Sequence, residues 1–190
     1  MTFDTNNDNG FGFIAGQAPE FSDQGSDVGL STILEGVAIL LDWRKRAAFQ
    51  TDVTVRLGND SRNYHVTARP RELSYEVASV ETGTVESFDP RSGMIREGTS
   101  ERPLEPYQIG TEPMAVRLAF PVSLGIWGRP GDSYRMTGAR RTADQLVVAL
   151  VHQADPSLTG ELVIDLGRRK AVRLDTPTLG IEYRDIQPAH

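Results

Sequence analysis

The residues most able to move a proton or hold a metal are three histidines, His65, His152 and His190. His65 falls on the polar side of an alternating run, His152 ends an apolar run, and His190 is the last residue. No pair shows the H-x-x-x-H spacing that turns two imidazoles toward one metal on a helix face. The nearest acid to His152 is Asp155, across a turn. No serine sits in a G-x-S-x-G elbow; Gly25-Ser26-Asp27 and Arg91-Ser92-Gly93 read as loop and turn. Gly128-Arg129-Pro130-Gly131 fits neither the dinucleotide nor the P-loop pattern. The absence of cysteine excludes thiol catalysis, disulfides and cysteine-based zinc or iron–sulfur sites. No metal and no cofactor are therefore expected. The carboxylates are scattered over strand exteriors and turns, so no acid pair stands out as a catalytic couple.

Aromatic and soft apolar side chains offer binding instead. Trp43, Tyr64, Tyr75, Phe88, Met114, Phe120 and Trp127 are the candidate ligand-lining residues, with Tyr107 beside them in the middle segment. They have two readings. They pack a core, or they line an apolar pocket between a concave sheet and helices laid across its open side.

Charge narrows the partners. With a net charge of -6, the chain has no overall basic field to attract nucleic acid or anionic lipid surfaces, and nucleic acid is not expected as a partner. The arginine pairs Arg140-Arg141 and Arg168-Arg169 fall at expected turns, where they serve solvation and edge protection. Lys45 and Lys170 are the only lysines, an arginine bias that a GC-rich coding sequence accounts for. No apolar run reaches the length of a membrane span. The polar, acidic start is unlike a signal peptide. A cytoplasmic location follows if Met1 is native, and a periplasmic or extracytoplasmic one if a leader was removed. Oligomeric state is left open.

These residues must be positioned by the elements around them. A chain of 190 residues suits one core. Residues 1–26 read as a flexible N-terminal tail, or as a strap whose Phe11, Phe13 and Phe21 close a pocket mouth. Residues 27–190 read as a single domain. Ile33, Leu34, Val37, Leu40 and Leu41 recur at helical spacing, with Thr32 and Glu35 as a capping box and Arg44 to Arg46 in the last turn. Phe49 to Leu57 alternates as a half-buried strand, Gly58 to Ser61 is a hairpin turn, and Tyr64, Val66 and Ala68 share a face. Leu73, Tyr75 and Val77 continue the alternation, followed by Thr84 to Phe88, a turn at Asp89 to Gly93, and Met94 to Arg96. Residues 98–113 read as a loop. Thr111-Glu112-Pro113 then opens a helix over Met114 to Phe120, ended by Pro121. From Tyr134 to Ile186 the chain is a series of strands broken at turn-sized intervals. The expected fold is mostly β: a single antiparallel sheet forming an unclosed half-barrel, with helices on its concave side.

This order of elements, with the turn Phe88-Asp89-Pro90 and the closing segment Thr178 to Ile186, resembles the LolA/LolB/LppX-type lipoprotein-carrier superfamily over roughly residues 30–187. The resemblance implies an unclosed antiparallel barrel with helices plugging its concave side around an apolar cavity. It also implies binding of acyl chains or other lipids, and at least one cytoplasmic relative is an enzyme of pigment biosynthesis. The chain shows neither an export signal nor a lipobox cysteine. The expected function is binding of a hydrophobic small molecule, lipid or acyl chain between sheet and helices. The alternatives are a cofactor-free cyclase or rearrangement enzyme of secondary metabolism using the same pocket, and an interaction module presenting sheet edges.

Overall fold

The computed structural model describes residues 26–104 and 112–189. The tail expected over 1–26 (Ser26 apart), with Phe11, Phe13 and Phe21, and Tyr107 of the middle segment, lie outside the described residues. Eleven strands form one antiparallel sheet: β1 (Phe49–Leu57), β2 (Asp60–Arg69), β3 (Ser74–Ser79), β4 (Val85–Asp89), β5 (Met94–Glu97), β6 (Ser100–Pro103), β7 (Tyr134–Arg141), β8 (Gln145–His152), β9 (Thr159–Asp165), β10 (Lys170–Asp175) and β11 (Leu179–Pro188). Their order is β6-β5-β4-β3-β2-β1-β11-β10-β9-β8-β7. Two meanders thus join where the first strand pairs with the last. Edges β6 and β7 do not pair with each other, so the sheet stays open.

Strict alternation in β1 buries Phe49, Thr51, Val53 and Val55 and exposes Gln50 and Asp52. Because side chains alternate with period 2, one face carries the core. Helix α1 (Ser26–Leu41) lies over β7, β8 and β10. Its closest approach is at Gly36, where an added Cβ would meet Leu146 Cδ2 at 3.2 Å, Val148 Cγ2 at 3.4 Å and Ile164 Cδ1 at 3.5 Å. Beneath it Leu146, Val148, Leu150, Leu162 and Ile164 are buried.

The helix differs from its expected form in two ways. It begins at Ser26, so Thr32 and Glu35 are interior rather than a capping box, and Glu35 instead takes both oxygens to Arg141 at 2.7 and 2.8 Å. The expected stripe also splits: Leu40 is buried, while Leu34 and Leu41 are 58% and 57% exposed and share the outer side with Leu30. Gly36 faces the sheet one turn before buried Leu40, and its missing side chain lets the helix come close there. Past the helix a 3-10 turn (Asp42–Lys45) carries Arg44 and Lys45, and Arg46 reaches back to donate to the Ile39 carbonyl at 2.6 Å. Arg46 thus caps a free carbonyl at the helix end.

Residues 112–127 cover the sheet over β1–β3, but not as a helix. They make two short 3-10 turns, Met114–Val116 and Pro121–Ser123. Ala115, Val116, Leu118, Ala119 and Phe120 are all buried and Arg117 is half-buried, so this run lacks the separate polar face of an amphipathic helix. Its amides are met by local turns and, at Ala119, by the Tyr183 hydroxyl oxygen at 3.2 Å. Two strand expectations also shift. Leu73 sits in a left-handed turn at φ 58 rather than in β3, and β6 occupies part of the expected loop by pairing with β5.

Candidate binding site on the inner face

Four of the seven candidate lining residues form one connected aromatic run. The Trp43 and Phe120 rings meet edge-on at 5.3 Å, as do Phe120 and Tyr75 at 6.2 Å, and Tyr75 and Phe88 lie tilted at 6.0 Å. Trp43, Phe120 and Tyr75 are buried, whereas Phe88 on β4 is half-buried. The run therefore leads from under the cover toward a part of the inner face with sparse burial. Beyond β3 only Ile95 is buried in strands β4–β6.

Cross-strand register places further groups there. Directly opposed residues of an antiparallel sheet share a face. Tyr75 opposes Phe88, Phe88 opposes Ile95, and Ile95 opposes Arg102. Val77 opposes Glu86, and Glu86 opposes Glu97. The Tyr75 hydroxyl donates to Glu86 Oε1 at 3.0 Å. Burial pushes the Glu86 carboxyl above its usual range; the Tyr75 hydrogen bond and Arg102 oppose this, and Glu97 adds to it. Burial, then the Glu86 charge, raises the Tyr75 phenol, so it stays a donor. Glu112 faces the same phenol and accepts from Ser123 Oγ at 2.7 Å. The site is an apolar aromatic floor with a carboxylate-rich rim.

The other three candidates lie apart from this run. Met114 is half-buried where the cover crosses β1–β3, and Tyr64 is half-buried on β2. Trp127 bridges to Arg135 on the opposite edge strand β7 and donates from Nε1 to the Pro121 carbonyl at 2.9 Å. All three pack against the core.

One histidine–carboxylate pair was missed by the sequence reading. His65 Nδ1 lies 2.6 Å from Asp52 Oδ1 on the outer face, in adjoining grooves of about 220 and 380 Å3 that also involve Asp185. The signal was available. A two-residue turn at Gly58-Asn59 opposes Leu57 to Asp60, and counting back puts Asp52 opposite His65. The bulge between Gln50 and Asp52, with Asp185 at φ 51, shapes the groove floor. Both side chains are more than half exposed, at 67% and 51%, so water screens the pair and it contributes little stability. Among the described residues no group of three potential ligands could hold a metal. No described helix is long and apolar enough to cross a membrane.

Among the described residues, an unclosed antiparallel sheet of eleven strands with one α-helix and a turn-built cover over its inner face defines the architecture. No family model and no curated protein matches the chain. Among solved structures, it is similar to an uncharacterized conserved protein from Thermus thermophilus, with TM-score 0.48 and 12% identity over 84% of this chain and 88% of that one. It is also similar to MucB (TM-score 0.44, 12% identity, 84% of this chain and 60% of that one). MucB in complex with MucA(peri) gives 0.42 and 11% over 83% and 56%. The chain thus spans under two thirds of the MucB chains. At such TM-scores the likeness carries no argument about function.

Proposed function

We propose that the protein binds an apolar small molecule or acyl chain on the inner face, along the aromatic run that ends at Phe88. The single observation behind this reading is the continuity of that run, from Trp43 and Phe120 under the cover to half-buried Phe88 on the sparsely buried strands. An apolar chain laid on it removes aromatic and aliphatic surface from water, worth about 25 cal/mol per Å2. Glu86, Glu97 and Glu112 at the rim favour a head group that donates hydrogen bonds over an anionic one. The reading does not depend on the compartment.

Decan-1-ol and decanoate, titrated separately and followed by native mass spectrometry, test it. Decan-1-ol is expected to bind more tightly than decanoate. Phe88→Ala is expected to weaken it about tenfold, the loss of part of one aromatic contact, and Leu34→Ala on the exposed helix side to leave it unchanged. Absence of a bound probe, or loss of binding in Leu34→Ala but not in Phe88→Ala, would overturn the reading.

Glu86 favours one alternative, the cyclase or rearrangement enzyme. A carboxyl that burial raises holds its proton to higher pH than an exposed glutamate does, although the Tyr75 hydrogen bond opposes this, and such a group suits a proton donor. Ligand recovered with a changed structure after incubation supports catalysis; unchanged ligand supports binding alone.

A further inference from the structure

At the end of the molecule where α1 gives way to β1, the hairpin between β9 and β10 brings cations together in a chain whose net charge is -6. Arg168, Arg169 and Lys170 lie in that hairpin, and Lys170 reaches the ring of Phe49, three residues after Arg46, with Arg44 and Lys45 just before it. The nearby acids are already engaged: Asp42 pairs with Lys45 at 2.7 Å and Asp165 with Arg168 at 2.7 Å. Arg169 is held by the turn in the left-handed region at φ 52 and makes no ion pair among the described residues. Lys170 Nζ stands 3.7 Å above the Phe49 ring, a cation–π contact rather than an ion pair. Arg46 spends Nη2 on the Ile39 carbonyl, while its buried Nη1 meets no acceptor.

We infer that this cluster of Arg46, Arg169 and Lys170 is a binding site for a small oxyanion, a phosphate or a carboxylate. A buried guanidinium nitrogen without an acceptor is costly, and an anion supplies one through a charge-assisted bond. The same anion offsets the mutual repulsion of three like charges. The same repulsion bears on Lys170. Burial first, then Arg46 and Arg168, depress its ammonium to about 8, with Asp165 opposing. Burial likewise lowers Arg46 to about 10, Asp42 opposing and Arg169 adding to the fall. The site lies away from Phe88 and Glu86 and does not depend on the apolar-ligand reading.

Because Lys45 and Lys170 are the only lysines, amine labelling resolves the site with an internal control. The full chain is labelled with a neutral N-hydroxysuccinimide ester in chloride, phosphate or acetate at matched ionic strength, and each lysine is quantified by peptide mass spectrometry. A bound oxyanion holds Lys170 protonated, so its labelling is expected to slow about tenfold, the effect of one pKa unit, while Lys45 is unchanged. Stronger protection by phosphate identifies a phosphate site, and stronger protection by acetate a carboxylate site. Arg169→Gln on the exposed turn is expected to abolish the protection, and Arg141→Gln to leave it intact. Equal labelling in all three salts, or protection that survives Arg169→Gln, would overturn the inference.

Discussion

The two halves of the sheet use the same antiparallel pairing and end in opposite ways. On β8–β10, Leu146, Val148, Leu150, Leu162, Ile164, Ala171 and Leu174 are buried under or beside α1, which approaches through Gly36. On β4–β6 only Ile95 is buried, and the edge strand Ser100-Glu101-Arg102-Pro103 is exposed throughout. A charged strand ending in proline resists pairing with another chain's edge. The contrast puts most of the buried core in the roofed half and leaves an aromatic floor and a carboxylate rim on the sparsely buried half, where the proposed reading seats its ligand.

The sharpest way to break that contrast is to hollow the roofed half. Ile164→Ala, at a fully buried position facing Gly36, is expected to cost about 2–5 kcal/mol in denaturant unfolding; a cost near zero would show that the roofed half does not carry the fold. Gly160→Ala comes next. Its Cβ would lie 2.6 Å from the Asp175 carbonyl oxygen and 2.8 Å from Thr176 Cγ2, so backbone must move. The expected loss is about 1–3 kcal/mol by the same measurement.

A smaller effect comes from Lys170 on β10, and it is read through pH. The folded chain releases this proton near 8, whereas the unfolded chain keeps it to the ordinary lysine value of 10.5. The unfolded state therefore binds more protons between those values, and stability rises with pH across that window. The rise is expected as a difference between the natural protein and Lys170→Met, whose stability lacks it; parallel pH profiles for the two would contradict the assignment. The smallest effect is expected on the outer side of α1. Leu34→Lys, at an exposed position, is expected to change stability by less than about 0.5 kcal/mol.

Much of the architecture was legible because strands announce themselves locally. The alternation of Phe49, Thr51, Val53 and Val55 gave the buried face of β1, though Leu57 at its end is exposed, and the breaks at Asp155 to Ser157, Gly167 and Thr176-Pro177 fall between β8, β9, β10 and β11, whereas Gly160 lies within β9. Helical pattern was less informative. Leu34 and Leu41 share the spacing of Leu40, yet only Leu40 is buried, because the helix approaches the sheet on its glycine side. Met114 to Phe120 looks helical for a related reason. Its residues are apolar because they are buried against β1–β3, not because they recur on one face.

The site was half legible. Trp43, Tyr75, Phe88 and Phe120 were named from residue type, and the structure brings them into one run. Glu86 was not named, since nothing along the chain shows that Tyr75 stands beside it. Register does show it: the turn after Asp89 opposes Asp89 to Met94 and hence Glu86 to Glu97. His65 and Asp52 yield to the same counting, whereas the cation cluster of Arg46 and Lys170 depends on contacts between distant segments and leaves no local trace.

Hydrogen exchange with and without decan-1-ol tests the division between the halves most directly. Ligand-induced protection is expected in residues 75–97 and 114–120, with residues 146–164 unchanged. Protection confined to α1, or none anywhere at concentrations that saturate native mass spectra, would contradict a binding site on the sparsely covered half.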